Sequence, residues 1–354
     1  MSLKAGRLLA LLLIVALPAA SKAEALPNVV ILATGGTIAG TGATSTTTVG
    51  YTAAKIGVDA LIQAVPELQK VANVKGEQVM QIASENMNNE AWLKLAKRVN
   101  QLLAQPDVDG IVITHGTDTI EETAYFLNLT VKSDKPVVVV GAMRPSTAIS
   151  ADGPINLYNA VILAGSKDAI GKGVLVCLND QINAAREVTK ANTATADTFR
   201  TPELGFLGYM QDNKAHFYRE STRRHTAKSE FDVTNLDKLP QVDITYGYAN
   251  ASRVPVDAFV AAGDKGIVNA GVGDGSLADG VKAGLLEARK KGVIVVRSAR
   301  AGNGIVARNG EVNDDQTDFV VSDTLTAQKA RILLMLALTK TSDTKEIQRI
   351  FYSY

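Results

Sequence analysis

Four short apolar runs limit what this chain can fold into. They are VVILA (29–33), GIVIT (110–114), PVVVVGA (136–142) and GVLVCL (173–178), and they are continuous rather than alternating. A strand with one face in water alternates polar and apolar residues, whereas a strand covered on both faces does not. The segments between them supply the cover. AWLKLAKRVNQLLA (91–104) and TIEETAYFLNLTV (119–131) space their apolar residues by three and four, as amphipathic helices do. The pattern predicts an α/β fold with a larger N-terminal domain built on a parallel sheet.

At 354 residues the chain exceeds what one core usually serves. After about residue 200 the texture turns polar through QDNKAHFYRESTRRHTAKSEFDVTNLDKLP (211–240), and the βα alternation then resumes with VDITYGYA (242–249), GIVNAGVGDGS (266–276) and GVIVVRSARAGNG (292–304). The expected division is a catalytic α/β domain at 26–212, a linker at 213–241 and a smaller C-terminal α/β domain at 242–354. Residues 1–25 read as a secretory signal peptide: Lys4 and Arg7 precede an apolar core from Leu8 to Leu17, followed by Pro18 and small residues, with cleavage after Ala23 or Ala25. That core is too short to span a bilayer. Export to the periplasm is the expectation.

With 37 basic and 36 acidic residues, the balance gives no electrostatic reason to expect nucleic acid or an anionic membrane as a partner. The single cysteine, Cys177, sits in an apolar run and cannot form an internal disulfide.

Two threonines sit where apolar runs break into Thr-Gly loops: Thr37 in VVILATGGTIAG and Thr117 in GIVITHGTDTIEE. Both fall at the carboxyl end of a predicted buried strand, where open α/β sheets bind small ligands. Thr117 and Asp118 are also expected to cap the following helix, with Glu121 and Glu122 in its first turn. A loop rich in Gly, Ser and Thr, from Gly40 to Thr52, follows Thr37 and reads as either a lid or a surface loop. A hydroxyl nucleophile needs a base, and only three histidines are present. His115, beside the Thr117 loop, admits a triad reading, though a polar structural role suits it better. Lysine, tyrosine and carboxylate remain, and Lys190 is a candidate because it follows a strand end in the first domain, although spacing alone favours a solvated surface lysine there. No metal-ligand spacing occurs, and TGGTIAG fits neither a Walker nor a dinucleotide fingerprint. No cofactor is expected.

TGGTIAG and HGTDTIEETAYF resemble the two signature segments of the bacterial L-asparaginase family. The likeness extends through QIASENMN (81–88), VGAMRPSTAISADGPINLYNA (140–160), VTKAN (188–192), KGIVNAGVGDGS (265–276) and KEIQRIFYSY (345–354). The leader points to the secreted type II branch. The resemblance implies hydrolysis of the side-chain amide of L-asparagine with substantial hydrolysis of L-glutamine, or the reverse preference in a primary glutaminase, with Thr37 as nucleophile, Tyr51 beside it, and Thr117, Asp118 and Lys190 as a hydrogen-bonded group. It also implies oxyanion donors near Thr117 and Ala142, Ser84 on the substrate carboxylate, and Asp118 with Glu85 on its ammonium. Ser276 and Glu311 would come from a neighbouring subunit of a homotetramer. Strict asparaginases have Gln where this chain has Glu85 and Asn where it has Ser276, which points towards the members that also take glutamine.

Overall fold

The structure, a computed structural model, describes residues 25–354; the leader expected at 1–25 lies outside the described residues save for Ala25. The larger sheet begins with β1 (Asn28–Gly35), β2 (Asn73–Ile82), β3 (Gly110–Thr114), β4 (Val137–Val140) and β5 (Val174–Leu178). All four neighbouring pairs among these strands are parallel, in the order β2-β1-β3-β4-β5. Beyond β5 the sheet continues antiparallel through β6 (Gln181–Ala184), then β9 (Gly208–Gln211) and β10 (Lys214–Phe217) at the edge. A separate two-stranded piece joins β7 (Thr189–Lys190) to β8 (Phe199–Arg200).

The continuous apolar runs have the predicted cause. On β1, Val30 and Leu32 enter one core while Val29, Ile31 and Ala33 enter the other, so successive residues alternate between two buried faces. Helices α1 (Val58–Gln63) and α4 (Gly153–Ala164) cover one face, and α2 (Asn89–Leu103) and α3 (Ile120–Thr130) the other. The start of α2 is fixed by Asn88, whose side chain accepts from the Ala91 N–H at 2.9 Å. Its buried stripe includes Trp92, Leu95, Val99 and Leu102, each contributing on the order of 1.5–3 kcal/mol if fully desolvated.

The smaller sheet is all parallel, in the order β11 (Val242–Tyr246), β12 (Gly266–Gly271), β13 (Ile294–Ala299) and β14 (Val320–Val321). Helices α5 (Val254–Ala262) and α6 (Asp279–Lys290) cover its outer face. A short α7 (Asp314–Thr317) precedes α8 (Ala327–Ala337) and the terminal α9 (Thr344–Ser353). Helix α8 packs on α3 as well as on its own sheet, so one apolar core runs from β1 to β14 and joins the two domains.

The stretch at 213–241 is not a plain connection. Its first strand, β10, belongs to the larger sheet, and Phe231, Val233 and Leu239 are buried in the shared core. The cue lies in Asp212 and Asn213, both at positive φ (50° and 59°), which close β9 and β10 as a two-residue hairpin. The polar composition concealed it because β10 is an edge strand whose Lys214 and His216 are the outward members of a short alternation.

Candidate active site

Strand order places the site. Parallel strands β1 and β3 are neighbours in space but not in sequence, with β2 on the far side of β1, so the chain reverses direction across the sheet between them. The crevice beyond the carboxyl ends at such a reversal is where doubly wound sheets bind ligands. Ala33 of β1 pairs with Thr114 of β3, so the two Thr-Gly loops leave the sheet side by side. They touch through backbone alone: a Cβ on Gly36, whose φ is +83°, would lie 2.2 Å from the Gly116 nitrogen.

The result is a cleft with a cavity volume of about 480 Å³, lined among others by Thr37, Tyr51, Ser84, Glu85, Thr117, Asp118 and Lys190. A cavity of that size suits a small metabolite. Thr37, in a single 3-10 turn (Thr37–Ala39), is nearly buried, and its Oγ1 lies 2.7 Å from the Tyr51 hydroxyl. Tyr51 arrives on the Gly40–Thr52 loop. Paired backbone hydrogen bonds between Thr41 and Thr52 close the loop at its neck, and contacts from Ser146, Thr147 and Ile149 hold its flank. Its tip, Thr48 to Tyr51, lies against the cleft, so the loop is a cover rather than a detached surface feature.

Lys190 approaches from β7. Its Nζ donates to Thr117 Oγ1 at 3.0 Å and to Asp118 Oδ1 at 2.6 Å. Helix α3 starts with Thr119 at its N-cap, one residue beyond Asp118, and the Thr119 hydroxyl caps no backbone N–H but donates to the Ser84 carbonyl at 2.8 Å. Ser84 itself sits in a 3-10 turn at the end of β2 (Ser84–Asn86), buried against Gly116, and the exposed Glu85 follows at the cleft mouth.

His115 is structural in this geometry. Burial pushes it down to about 4, so it is neutral, and its partners fix the tautomer. Nδ1–H donates to the Gly116 carbonyl at 2.7 Å, while Nε2 accepts from the Thr123 hydroxyl at 2.9 Å, whose oxygen in turn accepts from the Trp92 indole N–H at 2.9 Å. The chain of three bonds orients the backbone just before Thr117.

Three residues from the sequence reading do not line the cleft. Ala142 is fully buried, with Met143 and Arg144 forming the wall instead. The Asp152 carboxylate accepts from both of their backbone N–H groups at 3.0 Å. Ser276 lines a separate pocket with Tyr248, Asn250 and Arg300, and Glu311 is exposed on the smaller domain. Asp314, close to Glu311 in sequence, is wholly buried against Arg297 at 2.6 Å and faces no solvent. Met143, Arg144, Thr193 and Ala194 are lining residues the sequence reading did not name. The first two follow β4, and applying the strand-end rule to that strand would have found them. Among the described residues no group of three or more His, Cys, Asp or Glu side chains could hold a metal ion.

Comparison with known proteins matches the same two halves. A family model described as asparaginase, N-terminal, covers residues 28–223, and one described as glutaminase/asparaginase C-terminal domain covers 241–351. The chain is 59% identical to L-asparaginase 2 of Bacillus subtilis over 335 residues, 95% of this chain and 88% of that protein. It is 54% identical to the glutaminase-asparaginase of Pseudomonas fluorescens over 352 residues, 98% and 97% of the two chains. It is 51% identical to a probable periplasmic L-asparaginase of Haemophilus influenzae over 334 residues, 94% and 95% of the two chains.

Proposed function

This chain belongs to the asparaginase family, and we propose that it is an amidohydrolase that converts L-asparagine to L-aspartate and ammonia through a threonine acyl-enzyme, with L-glutamine as a second substrate. The observation that carries the reading is the pairing of hydroxyls in one cleft. Thr37 Oγ1 meets the Tyr51 hydroxyl, and Thr117 Oγ1 meets Lys190 Nζ, each within hydrogen-bond reach. Each nucleophile candidate thus has a partner that can take or return a proton, the arrangement that covalent catalysis by a hydroxyl requires.

In the proposed sequence Thr37 Oγ attacks the side-chain amide carbon, and the carbonyl oxygen gains negative charge, for which the family resemblance implies backbone N–H donors near Thr117 and Ala142. The C–N bond then breaks. The threonine proton leaves on the nitrogen as ammonia, by way of Tyr51 or the Lys190 group, and a β-acyl ester remains on Thr37. Water splits that ester, restoring the hydroxyl and releasing the dicarboxylic amino acid. The cleft carries both signs of charge, with Lys190 and Arg144 set against Asp118 and Glu85, which suits a zwitterion.

The family resemblance implies a homotetramer in which Ser276 and Glu311 of a second copy complete the ammonium pocket, an arrangement that requires both to lie outside the cleft of their own chain, as they do. Light scattering tests the assembly. The leader at 1–25 and the periplasmic relative support export. Glu85 and Ser276 favour glutamine as a real substrate, since one methylene separates the two amides and discriminates by only about 1–3 kcal/mol. Paired kcat/KM values for asparagine and glutamine test this directly. The two should lie within a factor of about a thousand, and a larger gap refutes the glutamine assignment.

A further inference from the structure

Lys190 is held in place by more than the two side chains it donates to. Glu121, in the first turn of α3, is almost wholly buried, and its Oε1 accepts from the Lys190 backbone N–H at 3.2 Å and from the Thr189 hydroxyl at 3.0 Å. Its Oε2 faces α8 of the smaller domain, where Gln328 Nε2 donates at 3.3 Å and Lys329 Nζ lies 3.9 Å away. Lys329 is 1% exposed. Its ammonium donates to the Arg186 carbonyl at 2.8 Å and to the Val188 carbonyl. Glu121 therefore grips residues 189–190 and Lys329 grips 186–188, so one buried pair spans the backbone of the segment that delivers Lys190 to Thr117.

We propose that Glu121 and Lys329 are positioning residues for the Lys190 base, through which α8 of the smaller domain sets the geometry of the site in the larger one. This rests on the amidohydrolase reading of the site. A stability role accounts for the pair poorly, because burying two ions costs about as much as their attraction returns, and apolar residues of similar volume often serve a fold as well. Burial pushes Lys329 down to about 8, with Glu121 and Glu187 acting in the opposite sense, so the ammonium is costly to keep. What the pair does fix is backbone. Displacing a reacting group by about 1 Å can slow catalysis by about a hundredfold.

The test uses the mature chain in its native assembly, with asparagine as substrate and ammonia as readout. Lys329→Met should lower kcat by about 10- to 100-fold while KM stays within about threefold. Glu121→Gln should lower it less than that, since its side-chain carbonyl still accepts from Lys190 and Thr189. Introduced into Lys190→Met, neither change should slow turnover by more than about twofold, because the group they position is gone. If Lys329→Met does not fold, Thr189→Val carries the same test from a half-buried position, with a loss of about 3- to 10-fold in the parent and no added loss in Lys190→Met. Wild-type kcat in the folded variants, or losses that multiply with Lys190→Met, overturns the proposal. Wild-type turnover by Lys190→Met alone shows a different failure, that of the base assignment and of every inference built on it.

Discussion

Replacing Thr123 by valine isolates the hydrogen-bond chain behind Thr117. The two side chains have nearly the same shape, and Thr123 is fully buried, so no cavity opens. What is lost is an oxygen that accepts from the Trp92 indole and a hydroxyl proton that donates to His115 Nε2. Both orphaned groups stay buried, Trp92 at 3% exposure and His115 at 0%. Each costs about 1–3 kcal/mol of desolvation that is no longer repaid, for a combined loss of about 2–6 kcal/mol. Trp92 is the chain's single tryptophan, so its fluorescence reports unfolding and the lost indole partner at once. Urea titrations at pH 7 and equal protein concentration should show a lower midpoint with an unchanged slope. A loss below about 1 kcal/mol would refute the three-bond chain, and with it the tautomer and structural role given to His115.

Gly36→Ala should abolish ammonia release and lower the yield of soluble protein, because the added Cβ would fall 2.2 Å from the Gly116 nitrogen in a backbone already at positive φ; wild-type specific activity would contradict the close approach of the two loops. Asp264→Asn should raise the melting temperature near pH 7.5. Burial, and then the Asp243 carboxylate, push Asp264 up to about 6 from an ordinary 3.8. Between those values the folded state binds a proton that the unfolded state has released, so stability falls as pH rises and the Asp264 penalty is complete above about pH 6. The gain of the variant should vanish near pH 4, and an equal gain at both pH values would count against the cause given.

The parallel sheet was readable because its strands lack polar alternation, a property burial on both faces imposes residue by residue. Thr37 and Thr117 could be placed at strand ends for the same reason. Less readable were features whose signal is geometric. β10 is an edge strand with polar outward residues, and its hairpin depends on the φ of Asp212 and Asn213. Lys190, far away in sequence, engages Thr117 and Asp118, while the N-cap of α3 falls at Thr119. Sequence spacing cannot report a contact made across 72 residues. The partners of Glu121 illustrate the same limit more strongly, since Gln328 and Lys329 lie about 200 positions away on another domain. Ser276 and Glu311 were reached through family resemblance alone, and the fold of one chain puts neither beside Thr37.

The central assignment is that the Thr37 hydroxyl attacks the amide. Ammonia release from asparagine by purified Thr37→Ala, measured beside the wild type under identical conditions, tests it most directly. If the Thr37 hydroxyl, 2.7 Å from that of Tyr51, is the attacking group, every turnover passes through it and the variant should lose at least about a thousandfold in kcat. Turnover within about tenfold of the wild type would contradict the assignment.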